Sequence, residues 1–130
     1  MLSLLDAVGE AIRERSMTTV GLLGTQFTME KAFYQDALDR WGISVIVPEA
    51  EDRHYVNAVI YDELVAGQIR DESRTGYLRV IERLAERGAQ GVVLGCTEIP
   101  LLVSEADAGL PLFDTTAIHA EAALRYATQG

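Results

Sequence analysis

Short runs of consecutive apolar residues predict buried parallel strands in this chain. Residues 18–23 (TTVGLL), 43–47 (ISVIV) and 91–95 (GVVLG) are compact and rich in β-branched side chains, and they lack the strict alternation of a half-exposed strand. A weaker run at 111–113 (PLF) predicts a fourth strand. We therefore expect a four-stranded sheet that is covered on both faces.

Helical periodicity fills the segments between these runs. Apolar residues spaced by three or four positions place one side of each segment against a core. Five helices are predicted in this way. Their core-facing positions are Leu2, Leu5, Val8 and Ile12; Met29, Phe33, Ala37 and Trp41; Val56, Val59, Ile60 and Leu64; Tyr77, Ile81 and Leu84; and Ile118, Ala122 and Tyr126.

Glycines and short polar residues mark where these helices begin and end. Gly42 and Gly88 each follow a helical segment and precede a strand, where a left-handed residue commonly ends a helix. Side chains that can accept hydrogen bonds from free backbone amides mark the beginnings. The predicted N-caps are Asp52, Asp71, and either Asp114 or Thr115.

The alternation of strands and helices predicts an α/β protein with right-handed crossovers. We expect residues 1–130 to form a single α/β domain, a three-layer α/β/α structure with a flavodoxin-like four-stranded parallel sheet. Ligands of such sheets bind beyond the carboxyl ends of the strands. Three predicted loops therefore matter for function, namely residues 24–28, 48–54 and 96–100.

Composition and charge exclude several classes of function. The net charge of −9 argues against a nucleic-acid partner, which needs a basic surface. The longest apolar runs are far shorter than the ~20 residues of a membrane helix, so we expect no membrane partner. A single cysteine excludes an internal disulfide and favours a reduced, cytoplasmic setting, and two unpaired histidines indicate no metal centre.

Cys96 is the strongest chemical candidate, because it follows a predicted buried strand at the ligand-binding edge. If a helix begins there, its free amides are expected to lower the thiol pKa, so that Cys96 acts as a base or nucleophile. Thr97 adds a hydroxyl group and a free amide that suit a carboxylate. The alternative is that Cys96 is a small buried hydrophobic residue.

Four other residues near the predicted loops have two interpretations each. Gly24 and Thr25 could present donors to the same ligand as Cys96, while Thr28 could simply cap the helix that carries Phe33. Glu98 could transfer a second proton or orient the cysteine, or it could be a solvated acid in the first turn of a helix. The acidic run in residues 48–52 is typical of a solvated loop, and His119 is typical of a structural histidine.

Four sequence blocks together resemble the aspartate/glutamate racemase family. They are GLLGTQFTM, VPEAED, GAQGVVLGCTEIPLLV and LFDTTAIHAEAAL, in the order and spacing of that family. GCTE matches the second of the family's two cysteine motifs. The resemblance covers nearly the whole chain and is greatest to the broad-specificity amino-acid racemases.

The resemblance implies a cofactor-independent isomerase that acts on a small amino-acid substrate. Two cysteines in such enzymes face the α-carbon from opposite sides, where one removes the proton and the other returns it. Cys96 would be the second of the pair. Thr97 would bind the substrate carboxylate, with Thr25 and Gly24 contributing from the neighbouring loop and Glu98 beside them. Gln26 departs from the family, where a basic residue is often found.

The first domain of the family, with its own cysteine motif, has no counterpart in this sequence. Inversion of a stereocentre needs a base on one face and an acid on the other, and a single thiol serves one face only. We therefore expect an isolated chain to be incomplete or inactive. It would need a complementary N-terminal domain or a second copy in a homodimer.

Two other functions remain open at this point. Decarboxylases similar to this superfamily use one thiol to protonate one face of an enolate, which needs only Cys96. The second is a non-catalytic, carboxylate-binding or self-associating α/β domain with a structural cysteine. The identity of the substrate would depend partly on residues of the absent half.

Overall fold

The computed structural model describes residues 4–129 and has a parallel four-stranded sheet. The strands are β1 (Thr19–Leu23), β2 (Ser44–Ile46), β3 (Gly91–Leu94) and β4 (Leu112–Asp114), in the order β2-β1-β3-β4. All three pairings are parallel. This is the order of the first four strands of a flavodoxin-like sheet, and it confirms the predicted fold class.

Eight α-helices and one π-helical turn are found within the described residues. They are α1 (Leu4–Glu14), α2 (Gln26–Glu30), α3 (Phe33–Asp39), α4 (Ala50–Val59), the π-helix (Ile60–Leu64), α5 (Asp71–Glu86), α6 (Ile99–Leu102), α7 (Glu105–Ala108) and α8 (Thr115–Gln129). Leu2 and the side chain of Tyr126, predicted to face the core, lie outside the described part of the chain.

The two faces of the sheet are buried by different helices. Val20, Leu22 and Val93 pack with residues of α1 and α3 on one face. On the other face, Leu23 and Leu94 pack with residues of α4, the π-helix and α5. Neighbouring strand residues point to opposite faces, so a run of apolar residues supplies both cores at once. The result is the expected three-layer arrangement.

The second predicted helix is wrong, because the chain breaks between Glu30 and Phe33 into α2 and α3. Met29 of α2 packs in the core of the α4 and α5 face. Tyr34 of α3 packs in the core of the opposite face. One continuous helix could not place Met29 and Tyr34 in cores on opposite faces of the sheet. The spacing of four residues between apolar positions therefore comes from two short helices rather than one.

Two predicted N-caps and one predicted loop are also corrected. Most of the acidic run is not loop but the start of α4, which is capped at Glu49 rather than at Asp52. Asp52 lies in the first turn and binds Arg83, with 2.7 Å between Asp52 Oδ2 and Arg83 Nε. Asp71 likewise lies inside α5, where its carboxylate pairs with Arg74.

Gly42 and Gly88 adopt the positive φ angles expected at helix ends, 73° and 109°. Asp114 is confirmed as the cap of α8: its Oδ1 accepts hydrogen bonds from the amides of Thr116 at 3.0 Å and Ala117 at 3.2 Å. This cap fixes the start of α8 at the end of β4.

We expect Asp114→Ala to lower the free energy of unfolding by about 1 kcal/mol, because two helix amides lose their acceptor. Urea denaturation followed by the fluorescence of the single tryptophan measures this loss. Asp114→Asn keeps an acceptor oxygen and should retain most of the stability. An equal loss in both variants would show that the lost negative charge, and not the lost acceptor, accounts for the effect.

The end of α4 changes from α-helical to π-helical geometry where another helix intervenes. The carbonyl of Val56 accepts hydrogen bonds from the amide of Ile60 and, at 2.7 Å, from the hydroxyl of Tyr77 in α5. One turn later the amide of Val65 bonds to the carbonyl of Ile60, five residues back. The π-turn therefore begins where the Tyr77 hydroxyl of α5 meets the helix backbone.

Candidate active site

The carboxyl ends of β1 and β3 bring two predicted loops together. The amide of Gly95 donates to the carbonyl of Leu23 at 2.8 Å, which joins the strands at this edge. A Cβ atom added to Gly24 would lie 3.0 Å from Thr28 Cγ2, and one added to Gly95 would lie 3.1 Å from the same atom. The Thr28 side chain therefore packs against both loops, and its contact in the second loop, Gly95, directly precedes Cys96.

Thr25 and Thr28 form a hydroxyl pair, with 3.0 Å between their Oγ1 atoms. Thr25 Oγ1 also accepts a hydrogen bond from the amide of Thr28, so Thr25 is the N-cap of α2. Thr28 does not cap the helix that carries Phe33, because the N-cap of α3 is Ala32. One hydroxyl proton of the pair bridges the two oxygens, which leaves the other free to donate to a ligand.

Cys96 is half-buried in the turn after β3, and its sulfur lies 2.8 Å from Glu98 Oε2. The thiol donates a hydrogen bond to the carboxylate, so Cys96 is protonated and Glu98 is ionised in this arrangement. Glu98 is thus the direct partner of the cysteine rather than only a solvated acid. Thr97, between them, is exposed and also bonds to the Glu98 carboxylate through its hydroxyl.

The pKa of Cys96 is raised to about 11, mainly by burial and then by the hydrogen bond to Glu98. The expectation of a lowered pKa was therefore wrong. The backbone amides of Glu98 and Ile99 act in the opposite direction and lower the thiol pKa, but their effect is smaller. The hydrogen bond between Cys96 and Glu98 has the opposite effect on the carboxyl group: it is the main reason why the pKa of Glu98 is lowered.

Two buried tyrosines lie beneath the Cys96 turn. The sequence analysis did not connect either of them with the site. Tyr34 of α3 is buried, and burial raises its pKa, while a hydrogen bond with Thr115 lowers it. Thr115 in turn donates to the carbonyl of Leu94 at 3.0 Å, two residues before Cys96. Tyr77 is fully buried on the other face, close enough to Cys96 that a thiolate there would raise the tyrosine pKa further. Apolar spacing predicted Tyr77 as a helix-core residue only, and it did not pick out Tyr34.

The remaining candidates of the sequence occupy different positions. Gln26 begins α2, where its amide bonds to Asn57 Oδ1 at 2.7 Å and its side chain donates to Glu30 at 3.0 Å. Asn57 of α4 thereby ties that helix to the Thr25 loop, a link the sequence did not indicate. His119 is exposed on α8.

A second concave surface lies between α4 and α5, an open groove of about 920 Å³. It is lined by charged residues of both signs and by Tyr55, whose ring packs over Gly76. Cys96, Thr25 and Thr28 do not line this groove. Within residues 4–129, no group of three or more His, Cys, Asp or Glu side chains is arranged to hold a metal ion. In the same range, no helix has the length and apolar character to cross a membrane.

The chain is similar to one protein-family model and to solved structures of related proteins. Residues 1–123 match the family model described as Asp/Glu/Hydantoin racemase. The fold matches a crystal structure of a candidate Asp/Glu racemase from Yersinia pestis, with a TM-score of 0.93 and 49% identity. It also matches an aspartate racemase homologue from Pyrococcus horikoshii OT3, with a TM-score of 0.91 and 35% identity.

A glutamate racemase of Aquifex aeolicus is 29% identical over 98 residues, which are 75% of this chain and 36% of the racemase. Each of the two structural matches covers 98% of this chain but only 56% of the other protein. The chain thus spans little more than half the length of the solved structures that it matches.

Proposed function

The chain belongs to the Asp/Glu/hydantoin racemase family, and we propose that it provides one of the two proton-transfer sites of a cofactor-independent amino-acid racemase. The observation that supports this most directly is the Cys96–Glu98 pair at the carboxyl edge, beside the Thr25–Thr28 hydroxyl pair. The proposed substrate is a free amino acid, such as the aspartate or glutamate in the names of its relatives.

The raised pKa gives Cys96 a definite proposed role. A neutral thiol is the acid of a proton-transfer pair, so Cys96 would donate its proton to the α-carbon of a substrate carbanion and become a thiolate. In the reverse direction, this thiolate would remove the α-proton and return to the neutral form. Glu98 holds the proton-bearing state through the 2.8 Å hydrogen bond, and the amides of Glu98 and Ile99 support the thiolate.

We propose that Gly24, Thr25 and Thr97 bind the substrate carboxylate, with Thr28 as a further residue. Backbone amides and hydroxyl groups are suitable donors to a carboxylate. The free hydroxyl proton of the Thr25–Thr28 pair supplies one such donor from the β1 side. Thr97 supplies another from the β3 side once its hydroxyl leaves Glu98.

The second face of the substrate needs a partner, which we propose is a complementary N-terminal domain or a second copy of this chain. Two large apolar side chains stand exposed on helices that follow β1 and β3, Phe27 at 64% and Leu101 at 65% of their full exposure. Apolar surface of this kind at the rim of a site is stabilised when another chain or domain covers it. The proposed domain organisation is therefore one α/β half of a two-part enzyme, acting in the cytoplasm.

Exchange of the substrate α-proton in heavy water tests this function. The chain is incubated at micromolar and millimolar concentrations with each enantiomer of aspartate and glutamate, and proton NMR follows the loss of the α-proton signal. We expect deuterium incorporation at least tenfold above that of Cys96→Ala. Arg79→Gln, an exposed change on α5, should behave as the unchanged chain does.

Chiral chromatography then distinguishes the assemblies. Incorporation with inversion, growing with protein concentration, means that two copies build a two-sided site. Incorporation with retention means that Cys96 works alone on one face, the chemistry that a one-thiol decarboxylase-like enzyme would also need. Incorporation that is equal in Cys96→Ala would contradict the proposal and favour a non-catalytic domain. No incorporation in either protein would mean that two copies of this chain do not build the site and that a complementary N-terminal domain is required.

A further inference from the structure

Four polar side chains join α4 to α2, the short helix at the candidate active site. Arg53 and Asn57 are four residues apart on α4 and therefore share one face of that helix. They meet two residues of α2 that have the same spacing. Asn57 Oδ1 accepts a hydrogen bond from the amide of Gln26 at 2.7 Å. Arg53 Nε lies 3.5 Å from Glu30 Oε2, to which the Gln26 side chain also donates at 3.0 Å.

The Asn57 contact lies at the end of α2 that faces the site. Asn57 meets a backbone amide there, so the side-chain atom that faces this donor must be the carbonyl oxygen. Gln26 is the first residue of α2, and first-turn amides have no partner within their own helix. Asn57 therefore supplies, from another helix, an acceptor that α2 itself lacks.

The backbone of α4 holds the Asn57 oxygen in a fixed position. Val56, the preceding residue, is fully buried, and its carbonyl accepts a hydrogen bond from the Tyr77 hydroxyl of α5 at 2.7 Å. Val59, two residues later, is buried in the same core. The Asn57 side chain itself is only partly buried. It is thus carried to the edge of the site by a well-anchored part of the helix.

The Thr25–Thr28 hydroxyl pair lies directly beside this contact. The peptide group that links Thr25 to Gln26 contains the amide that Asn57 binds. Rotation of this peptide group changes the ψ angle of Thr25 and displaces its side chain from that of Thr28. The Thr25 hydroxyl now accepts the Thr28 amide at 3.2 Å and lies 3.0 Å from the Thr28 hydroxyl. Both distances depend on the orientation that Asn57 fixes.

We propose that Asn57 is a positioning residue for the carboxylate-binding site: by accepting the Gln26 amide, it fixes Thr25 and hence the geometry of the Thr25–Thr28 hydroxyl pair. This inference rests on the proposed function, since it takes the pair as a donor to the substrate carboxylate. It does not depend on the proton transfer by Cys96. A negative result in α-proton exchange would therefore leave it standing.

Hydrogen exchange of single amides, followed by NMR, tests the positioning directly. Asn57→Leu keeps the size of the side chain and removes the acceptor. We expect the amides of Gln26 and Thr28 to exchange about tenfold faster, because the first loses its acceptor and the second loses a well-placed Thr25 hydroxyl. Asn57→Asp keeps an acceptor oxygen and should preserve the protection of both amides. His54→Leu, an exposed change on the same helix, is the matched control.

Binding of L-aspartate then measures what this position contributes to the site. The hydroxyl pair lies wholly within this chain, so NMR titration with millimolar aspartate reports its contact with a carboxylate. We expect the dissociation constant to rise about fivefold in Asn57→Leu, the effect of one weakened hydrogen bond. Alkylation of Cys96 by iodoacetamide should stay within about twofold of the wild-type rate. A merely structural role would change both, because Thr28 also packs against Gly95, next to Cys96.

Unchanged exchange at the Thr28 amide, or an unchanged aspartate affinity, would overturn the proposal, since Asn57 would then hold its own contact and nothing beyond it. Faster exchange throughout the edge, including the Gly95 amide that bonds to Leu23, would indicate general loosening and would also overturn it. If the wild-type chain does not bind aspartate, the hydroxyl pair is not a carboxylate site and the inference is wrong. Should Asn57→Leu fail to fold, Asn57→Ala carries the same expectations.

Discussion

Glu98→Gln is expected to lower the pKa of Cys96 from about 11 toward its ordinary value of about 9 and to make the thiol more reactive. The Glu98 carboxylate raises the thiol pKa by accepting a hydrogen bond from the neutral thiol and by its negative charge. A neutral amide removes the charge but keeps the shape of the side chain. Burial, the largest cause of the raised pKa, stays in place, so we expect a decrease of about one pKa unit rather than a full return.

The rate of alkylation by iodoacetamide at pH 8 measures this effect. One pKa unit increases the thiolate fraction about tenfold, but a less basic thiolate is also a weaker nucleophile, so the rate should rise about threefold. Glu82→Gln, on the exposed side of α5, is the matched control and should react as the wild type does. A slower reaction in Glu98→Gln would mean that the carboxylate accepts the thiol proton during alkylation and thus activates the sulfur.

Tyr77→Ala is expected to lower the free energy of unfolding by about 3–5 kcal/mol, because it deletes a large side chain from a closed core. Tyr77 is fully buried among residues of α4, the π-helix, α5 and β3. A domain of this size is typically stable by about 5–15 kcal/mol, so the variant should be close to unfolding at 37 °C. Urea denaturation followed by the Trp41 fluorescence gives the value.

The matched variant Tyr77→Phe separates the ring from the hydroxyl. It should lose about 1 kcal/mol, since the Val56 carbonyl keeps the amide of Ile60 as a donor. Tyr61→Ala, which truncates a tyrosine that is 60% exposed, should change the stability by less than about 0.5 kcal/mol. A similar loss for Tyr61→Ala and Tyr77→Ala would show that the buried core is not closed around Tyr77.

The sheet could be predicted from the sequence because each strand carries its own signal. β1 and β3 are buried on both faces, and such strands are runs of apolar residues with no dependence on distant partners. The turns at Gly42 and Gly88 are equally local, since a positive φ angle strongly favours glycine. The carboxyl edge, and Cys96 upon it, followed from the strands alone.

Features that depend on distant contacts could not be predicted. The break before Phe33 arises because Met29 and Tyr34 belong to cores on opposite faces of the sheet. The Tyr77 hydroxyl meets the start of the π-turn by binding the Val56 carbonyl, 21 residues away along the chain. Neither contact leaves a trace in local spacing.

The direction of the Cys96 pKa shift is another feature that could not be predicted from local sequence. The sequence indicated backbone amides that favour the thiolate, and such amides do lower the thiol pKa, though they are lesser causes. Burial and the side-chain orientation of Glu98 outweigh them, and the sequence fixes neither. Glu98 stands only two residues away, yet its carboxylate could equally have faced solvent.

The hydrogen bond that holds a proton on Cys96 also affects how this thiol survives oxidative stress. Peroxides attack thiolates, and they convert them stepwise to sulfenic and then to irreversible sulfinic and sulfonic acids. A cysteine whose pKa is about 11 presents very little thiolate at neutral pH. With no second cysteine in the sequence to rescue a sulfenic acid as an internal disulfide, keeping the sulfur protonated is its main chemical protection.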